Sequence, residues 1–353
     1  MTKKDYLQAL KTALGGRGGQ EADELISDVE LHFDEAAESG LSEDAISERL
    51  GSPSEMANEF LQGMPVGAEA TATLGTQRGE YENLRKLTVE LGSCDAEIYP
   101  STDEKTYIDI VDKATNDDER VEVVFESGHL IIRQRRKYAR FLSFFNFGNN
   151  EKSSARIWLG KGFNGDVKLA VGSGKITALQ VAGKDIALKA GSGSIAAESL
   201  SAQRVSLNTA SGGVKGLKIT AAQEISVNTA SGGINLDEVK APTLKCNLAS
   251  GGVRVTNAYC AAANMNTASG SIAFDSFEVC SVKANTASGN IKLRLPKEQE
   301  MTIQARTASG GMNIGYPAKI SGEKGRRQFV VGDGGVNVSC TTASGSISID
   351  PME

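Results

Sequence analysis

Apolar and polar side chains alternate through the second half of this chain around a recurring Asn-Thr-Ala-Ser-Gly motif or a variant of it. Its serines are Ser211, Ser231, Ser250, Ser269, Ser288, Ser309 and Ser344, and Gly-Ser-Gly versions at Ser173 and Ser192 carry the series backwards. Six residues before the serine stand Val205, Ile225, Leu244, Ala263, Val282 and Ile303; four before it stand Leu207, Val227, Cys246, Met265, Ala284 and Ala305. Interleaved with these are Ser206, Ser226, Lys245, Asn264, Lys283 and Gln304, then Asn208, Asn228, Asn247, Asn266, Asn285 and Arg306. Beyond the glycine the alternation resumes with Val214, Ile234, Val253, Ile272, Ile291, Met312 and Ile347. A period of two on both sides of a glycine reads as strand, turn, strand, with the apolar columns inward and the polar ones outward.

Two short strands are too thin to bury an apolar face alone, so successive units must stack, with about 4.8 Å between neighbouring strands. A step of about 19 residues is a solenoid period. The pattern predicts a single-stranded β-helix over residues 166–350, right-handed because parallel crossovers almost always are. Roughly nine rungs would make a rod about 40 Å long.

The first 62 residues have a different period. Tyr6, Leu7, Leu10 and Leu14 form one helical stripe ended by Gly15 and Gly16; Leu25, Ile26, Val29, Phe33 and Ala37 form a second ended by Gly40. Ser42 caps a third helix carrying Ile46 and Leu50 and stopping at Gly51. Ser52-Pro53-Ser54-Glu55 is a capping box that starts a fourth, with Met56, Ala57, Phe60 and Leu61. Residues 63–79 have the composition of a linker, and 80–165 read as an irregular β region that caps or begins the rod and carries an insertion at 133–147. The fold class is therefore multidomain α plus β, a small all-α module followed by a β-solenoid.

Charge sharpens this division. Residues 1–62 hold 5 Lys/Arg against 14 Asp/Glu, a balance of −9, and the rest holds 33 against 30, or +3. Neither part is basic enough for a nucleic-acid binder. Five cysteines are an odd number; Cys246 and Cys340 share an inward column four or five rungs apart, roughly 20 Å, too far to bridge. They read as small hydrophobes in a reducing compartment. No apolar run is long enough to span a membrane and the N-terminus does not have the pattern of a secretory signal, so the expected location is cytoplasmic.

Three surfaces are candidates for binding. Asn208, Asn228, Asn247, Asn266 and Asn285 form an outward amide column beside Ala210, Ala230, Ala249, Ala268 and Ala287, a flat strip that suits a glycan or a repetitive surface. The plainer reading is that stacked amides bond to one another and stiffen the rod. Arg133, Arg135, Arg136, Lys137 and Arg140 run into Phe141, Phe144 and Phe145, a mixture suited to an anionic membrane surface or the acidic helices, and equally to a cap over the first rung. Glu24, Asp28, Asp34, Glu35, Glu38, Glu43 and Asp44 give the helices an acidic face; such runs are usually solvated faces, and the opposite charge elsewhere in the chain suits this one to a basic protein partner or a dock within the chain.

Catalysis finds no constellation. His32 and His129 are the only histidines and lie in different modules, and Asp237, Asp275, Asp333 and Asp350 fall in unrelated columns. Gly172-Ser173-Gly174-Lys175 lacks the spacing and the following helix of a phosphate loop. The expectation is a protein that is not an enzyme and takes no cofactor or metal.

The initial Tyr-Leu-x-x-Leu helix, Glu-Ser-Gly-Leu-Ser-Glu-Asp-Ala-Ile at 38–46 and Leu-Gly-Ser-Pro-Ser-Glu-Met-Ala at 50–57 resemble the HAAS signalling domain of bacteria. The Ser-Gly-(Gly/Ser)-aliphatic steps resemble the bacterial adhesin-like repeat family, whose members form single-stranded β-helices. The HAAS resemblance implies a regulatory or envelope-sensing role, since such modules accompany membrane segments and are encoded beside PadR-like regulators. The expected function is non-catalytic binding or scaffolding, with a protein partner for the helices. The alternative is a cell-surface adhesin or carbohydrate-binding β-helix.

Overall fold

The computed structural model describes residues 1–16, 22–23, 25–27, 29–30, 33–34, 42–62, 76–111, 120–134, 153–278 and 280–352. Two compact units divide the chain, one holding the helices and one the strands.

In the helical unit, α1 spans Lys3–Leu14, α2 Glu43–Leu50 and α3 Pro53–Gln62. The Thr2 side chain accepts from the Asp5 N–H at the start of α1, and Gly15 closes it at φ 58°, a left-handed conformation that favours glycine. Ser42 caps α2 by accepting from the Ala45 N–H at 3.3 Å. Tyr6, Leu10 and Leu14 pack with Leu25, Val29, Phe33, Ile46, Leu50 and Ala57 in a core separate from that of the strands. Tyr6 and Phe33 lie with ring centroids 5.5 Å apart. Leu25, Ile26, Val29 and Phe33 are helical, as their spacing predicts, while Ala37 and Gly40 lie outside the described residues.

The strands begin with β1 (Thr76–Tyr81), β2 (Lys86–Leu91), β3 (Cys94–Pro100), β4 (Thr106–Val111), β5 (Val121–Glu126), β6 (His129–Gln134) and β7 (Ser153–Leu159). They continue with β8 (Asp166–Val171), β9 (Ile176–Leu179), β10 (Asp185–Ala190), β11 (Ile195–Thr209), β12 (Val214–Ser231), β13 (Ile234–Lys240), β14 (Thr243–Ser250), β15 (Val253–Tyr259), β16 (Ala262–Ser269), β17 (Ile272–Ser276), β18 (Ser281–Ser288) and β19 (Ile291–Leu295). The last are β20 (Met301–Ser309), β21 (Met312–Ile314), β22 (Lys319–Glu323), β23 (Arg326–Val331), β24 (Val336–Ser344) and β25 (Ile347–Pro351). Since β1 starts at Thr76, four residues of the expected linker are strand, paired antiparallel with β4.

Parallel pairing stacks these strands in register, so that Val205 lies beside Ile225, Ile225 beside Leu244, Leu244 beside Ala263 and Ala263 beside Val282. On the second face Val214, Ile234, Val253, Ile272 and Ile291 line up in the same way. Every one of these side chains is at most 2 % exposed. Each valine, leucine or isoleucine among them contributes about 2 kcal/mol of transfer free energy, so the inward parity is what holds the stack.

The spatial order of the stack departs from the order of the sequence at both ends. The pair β2/β3 lies between β6/β7 and β8/β9. At the other end β24/β25 lies between β18/β19 and β20/β21, so Ser344 is beside both Ser288 and Ser309. The inward column thus runs from Leu130 to Leu87 and Val167 at one end, and from Val282 to Val338 and Ile303 at the other. Two consequences correct the sequence reading. Rungs begin before residue 166, in the region read as capping or beginning the rod, because β2/β3 and β6/β7 carry the same parallel register. Cys340 sits three strands from Cys246, about 14 Å at the usual spacing, still too far to bridge.

Antiparallel strands cover edges at both ends. β5 covers β6, β4 covers β7 and is itself covered by β1, while β23 covers β20 and β22 extends it. Exposed edges of a parallel stack would otherwise pair with other chains.

Candidate functional site

The amide column is outward, as its parity predicts, and it is bonded within itself. The Nδ2 of Asn228 donates to Asn208 Oδ1 at 2.7 Å, Asn247 to Asn228 at 2.9 Å, Asn266 to Asn247 at 2.9 Å and Asn285 to Asn266 at 2.9 Å. Asn208 Nδ2 turns to Ser206 Oγ at 2.8 Å. Each interior amide therefore gives one proton and accepts one along the stack. The neighbouring alanines Ala210, Ala230, Ala249, Ala268 and Ala287 are exposed.

The threonine of the repeat continues the inward parity and was not singled out from the sequence, because its bonding partner lies on another rung. Thr209, Thr229, Thr267, Thr286, Thr307 and Thr342 are at most 6 % exposed. Their hydroxyls donate to the glycine carbonyl of the adjacent rung: Thr267 to Gly251 at 3.0 Å, Thr286 to Gly270 at 2.9 Å and Thr342 to Gly289 at 3.0 Å. Gly270 has φ 147°, and a Cβ there would stand 2.0 Å from the Gly251 oxygen. The motif is thus a joint between rungs, in which glycine lets the turns touch and threonine satisfies the carbonyl that the contact buries. The signal was in the sequence: a threonine in six of the seven repeats, on an inward parity, at a position adjoining a glycine stack. Leu248 occupies this position in its own rung and carries no hydroxyl.

A second column lies at the corner of the other face. Gln180, Ser199, Lys218, Glu238 and Asn257 all have φ between 52° and 56°. Beside it Asp237 Oδ1 accepts from Thr256 Oγ1 at 2.7 Å, from Asn257 Nδ2 at 2.7 Å and from the Glu238 N–H at 3.1 Å. These hydrogen bonds, that of Thr256 above all, hold its carboxyl below the usual carboxylate range.

Of the basic and aromatic candidates, Arg133 is held in β6, where its Nε donates to Glu122 Oε2 at 2.7 Å. Glu122 is 3 % exposed, so this arginine is committed to a buried carboxylate rather than to a free patch. Arg135, Arg136, Lys137, Arg140, Phe141, Phe144 and Phe145 lie outside the described residues. So do Glu24, Asp28, Glu35 and Glu38 of the acidic face and His32. Asp34 accepts from Lys3 Nζ at 2.7 Å, Glu43 from the Lys3 N–H at 3.1 Å, and Asp44 binds the N-terminal amine. The described part of the acidic face is thus partly engaged inside its own unit.

All five cysteines are buried thiols. Burial pushes Cys246 and Cys340 up to about 12. Cys260 hydrogen-bonds to Cys280, which raises the former, burial adding to it, and lowers the latter. Among the described residues no group of three or more His, Cys, Asp or Glu side chains could hold a metal ion. A cleft of about 520 Å³, lined by Glu82, Asn83, Asp103, Lys105, Lys161 and Phe163, was invisible in the sequence because three separate loops build it. Lys105 there is taken up by Glu80 and Glu82. No helix among the described residues is long and apolar enough to cross a membrane.

Stacked parallel strands, inward apolar columns and outward ladders place the chain among mostly-β proteins of solenoid type. It belongs to the Toastrack DUF4097 family, whose model matches residues 84–350, and residues 5–59 match the HAAS model. Among solved structures it is similar to a candidate cell adhesion protein from Clostridium sporogenes ATCC 15579, at 15 % identity over 80 % of this chain and 100 % of that one, with a TM-score of 0.28. It is also similar to a candidate adhesin from Bacteroides fragilis NCTC 9343, at 15 % identity over 79 % and 98 %, with a TM-score of 0.40. No curated protein matches it.

Proposed function

We propose that this chain is a non-catalytic scaffold in which the HAAS module meets a protein partner and a right-handed, single-stranded β-helix with rungs of about 19 residues serves as a stiff rod, in envelope sensing or regulation. The observation that carries the reading is the inward economy of the polar repeat. Asparagine amides bond to asparagine amides and threonine hydroxyls to neighbouring carbonyls, so the repeated chemistry is used to join rungs rather than to address a ligand. A separate core for the helices supports a second, independent task for them. Five buried thiols favour a reducing, cytoplasmic setting.

The exposed alanines beside the amide ladder favour one further reading, a flat strip that meets a glycan or another repetitive surface. Cell fractionation with protease shaving of intact cells separates the two. Protein that is protected in the soluble or membrane-peripheral fraction supports the scaffold, whereas protein stripped from the surface supports the strip as an adhesive face.

A further inference from the structure

The antiparallel cap at the β20 end stops at an open edge. β22 pairs with β23 along one side, and among the described residues no strand pairs with the other. All five of its residues, Lys319 to Glu323, are exposed. The inward column reaches this edge: Val338 lies beside Ile303, Ile303 beside Phe329 and Phe329 beside Ile320. The first three are at most 4 % exposed, whereas Ile320 is 62 % exposed, the largest value among the exposed large hydrophobic side chains. The core column therefore ends in an uncovered isoleucine.

On the opposite side of β22, Lys319 and Glu323 make no ion pair among the described residues. Turned antiparallel against itself, the segment Lys-Ile-Ser-Gly-Glu is complementary: lysine meets glutamate at both ends, isoleucine meets glycine, and Ser321 lies on the axis. Parallel pairing in register would place lysine beside lysine and glutamate beside glutamate, which is unfavourable. Gly322 leaves the gap that the facing isoleucine needs. Its φ is 100°, and a Cβ there would lie 2.5 Å from the Arg326 carbonyl, so no larger residue fits.

We propose that β22 is a self-pairing edge through which two copies of this chain join antiparallel, about a two-fold axis at Ser321. The contact is isologous, each edge giving the same groups that it receives. Backbone N–H and C=O groups that now face outward complete a ladder across the joint. Lys319 pairs with Glu323 of the partner subunit and Ile320 covers the Gly322 backbone of the partner subunit, twice by symmetry. A five-residue edge buries little surface, so the association is weak and depends on concentration.

The test is sedimentation velocity on the full chain over a concentration series reaching several hundred micromolar, roughly the range in which a small interface is populated. The wild type is expected to shift from monomer to dimer. Lys319→Glu and Glu323→Lys each bring like charges together at both ends of the joint and are expected to weaken dimerisation by about tenfold or more. An equimolar mixture of the two variants restores opposite charges and is expected to dimerise again, as is the double variant. Both residues are exposed, so the fold should survive; Ile320→Ser, which removes only the apolar cover, provides a second variant expected to weaken the dimer. A wild type that stays monomeric overturns the proposal. So does a dimer indifferent to both charge reversals, or a mixture that fails to regain it.

Discussion

The joint between rungs can be weighed by removing one hydroxyl. Thr267→Val keeps the size and branching of the side chain and deletes the donor that reaches the Gly251 carbonyl at 3.0 Å. Thr267 is 5 % exposed, so little water is available to take its place. A hydrogen bond of this kind contributes about 0.5–1.5 kcal/mol net, and leaving a buried acceptor unpaired costs about 1–3 kcal/mol. The added methyl returns part of this through apolar burial, so the expected loss is about 1–2 kcal/mol. Thr267→Ser, which keeps the hydroxyl and loses the methyl, should cost less than the valine variant. Because a stacked protein need not unfold in one step, hydrogen exchange of the amides in β14, β16 and β18 is a better assay than a single melting temperature. The valine variant should exchange faster in these strands than at the β2/β3 end. Equal protection in wild type and Thr267→Val would refute the view that threonine satisfies the joint, and would leave glycine alone as the reason for the motif.

Three further outcomes follow from the columns. Val227→Asp places a charge at a site with 0 % exposure and should melt or fray the stack by several kcal/mol, whereas Asn228→Asp keeps the acceptor for Asn247 and loses the donor to Asn208, a loss of about 1 kcal/mol; chemical denaturation ranks them. Lys218→Val puts a β-branched residue at φ 55° on an exposed corner, so a destabilisation of about 1–2 kcal/mol there would come from backbone strain, and an unchanged midpoint would contradict it. Asp237 has a depressed carboxyl, so its share of stability is present above the unfolded value near 3.9 and disappears as the pH falls through its lower folded value. Melting temperatures from pH 5 to 2 should therefore fall more steeply in wild type than in Asp237→Asn.

Much of the wall of the stack was legible because it depends on side-chain parity, and parity survives in one sequence. Val227 and Asn228 differ by one position and end on opposite faces. The helix ends were legible for a similar local reason: Ser42 caps α2 and Gly15 closes α1. The role of Arg133 was not, since its basic neighbours suggested a free patch and the buried partner Glu122 comes from an adjacent strand of no special pattern. Nor was the threonine joint: parity sets Thr209, Thr229 and Thr267 in step with the inward columns, but the carbonyl that each hydroxyl meets belongs to the next rung, which one strand's pattern does not show.

The order of the rungs was hidden for a deeper reason. Columns that repeat the same residue types make the rungs interchangeable: Val338 fits between Val282 and Ile303 as well as Ile303 would fit directly on Val282. Parity and propensity are satisfied in either arrangement, so they cannot choose between them. The hairpin of β22 and β23 decides, by carrying the chain along one edge of β20 before β24 enters at the other. The same stroke covers the outer edge of β20 and ties the last rung between two others, so that neither rung can peel away alone. At the opposite end β5 and β4 cover β6 and β7 while β2/β3 lies one step inside. A uniform repeat supplies stacking without an instruction to stop, and the irregular segments supply that instruction at both ends. Among the described residues they leave the outer edge of β22 without a strand partner, and that edge carries both an uncovered isoleucine and a self-complementary pair of charges.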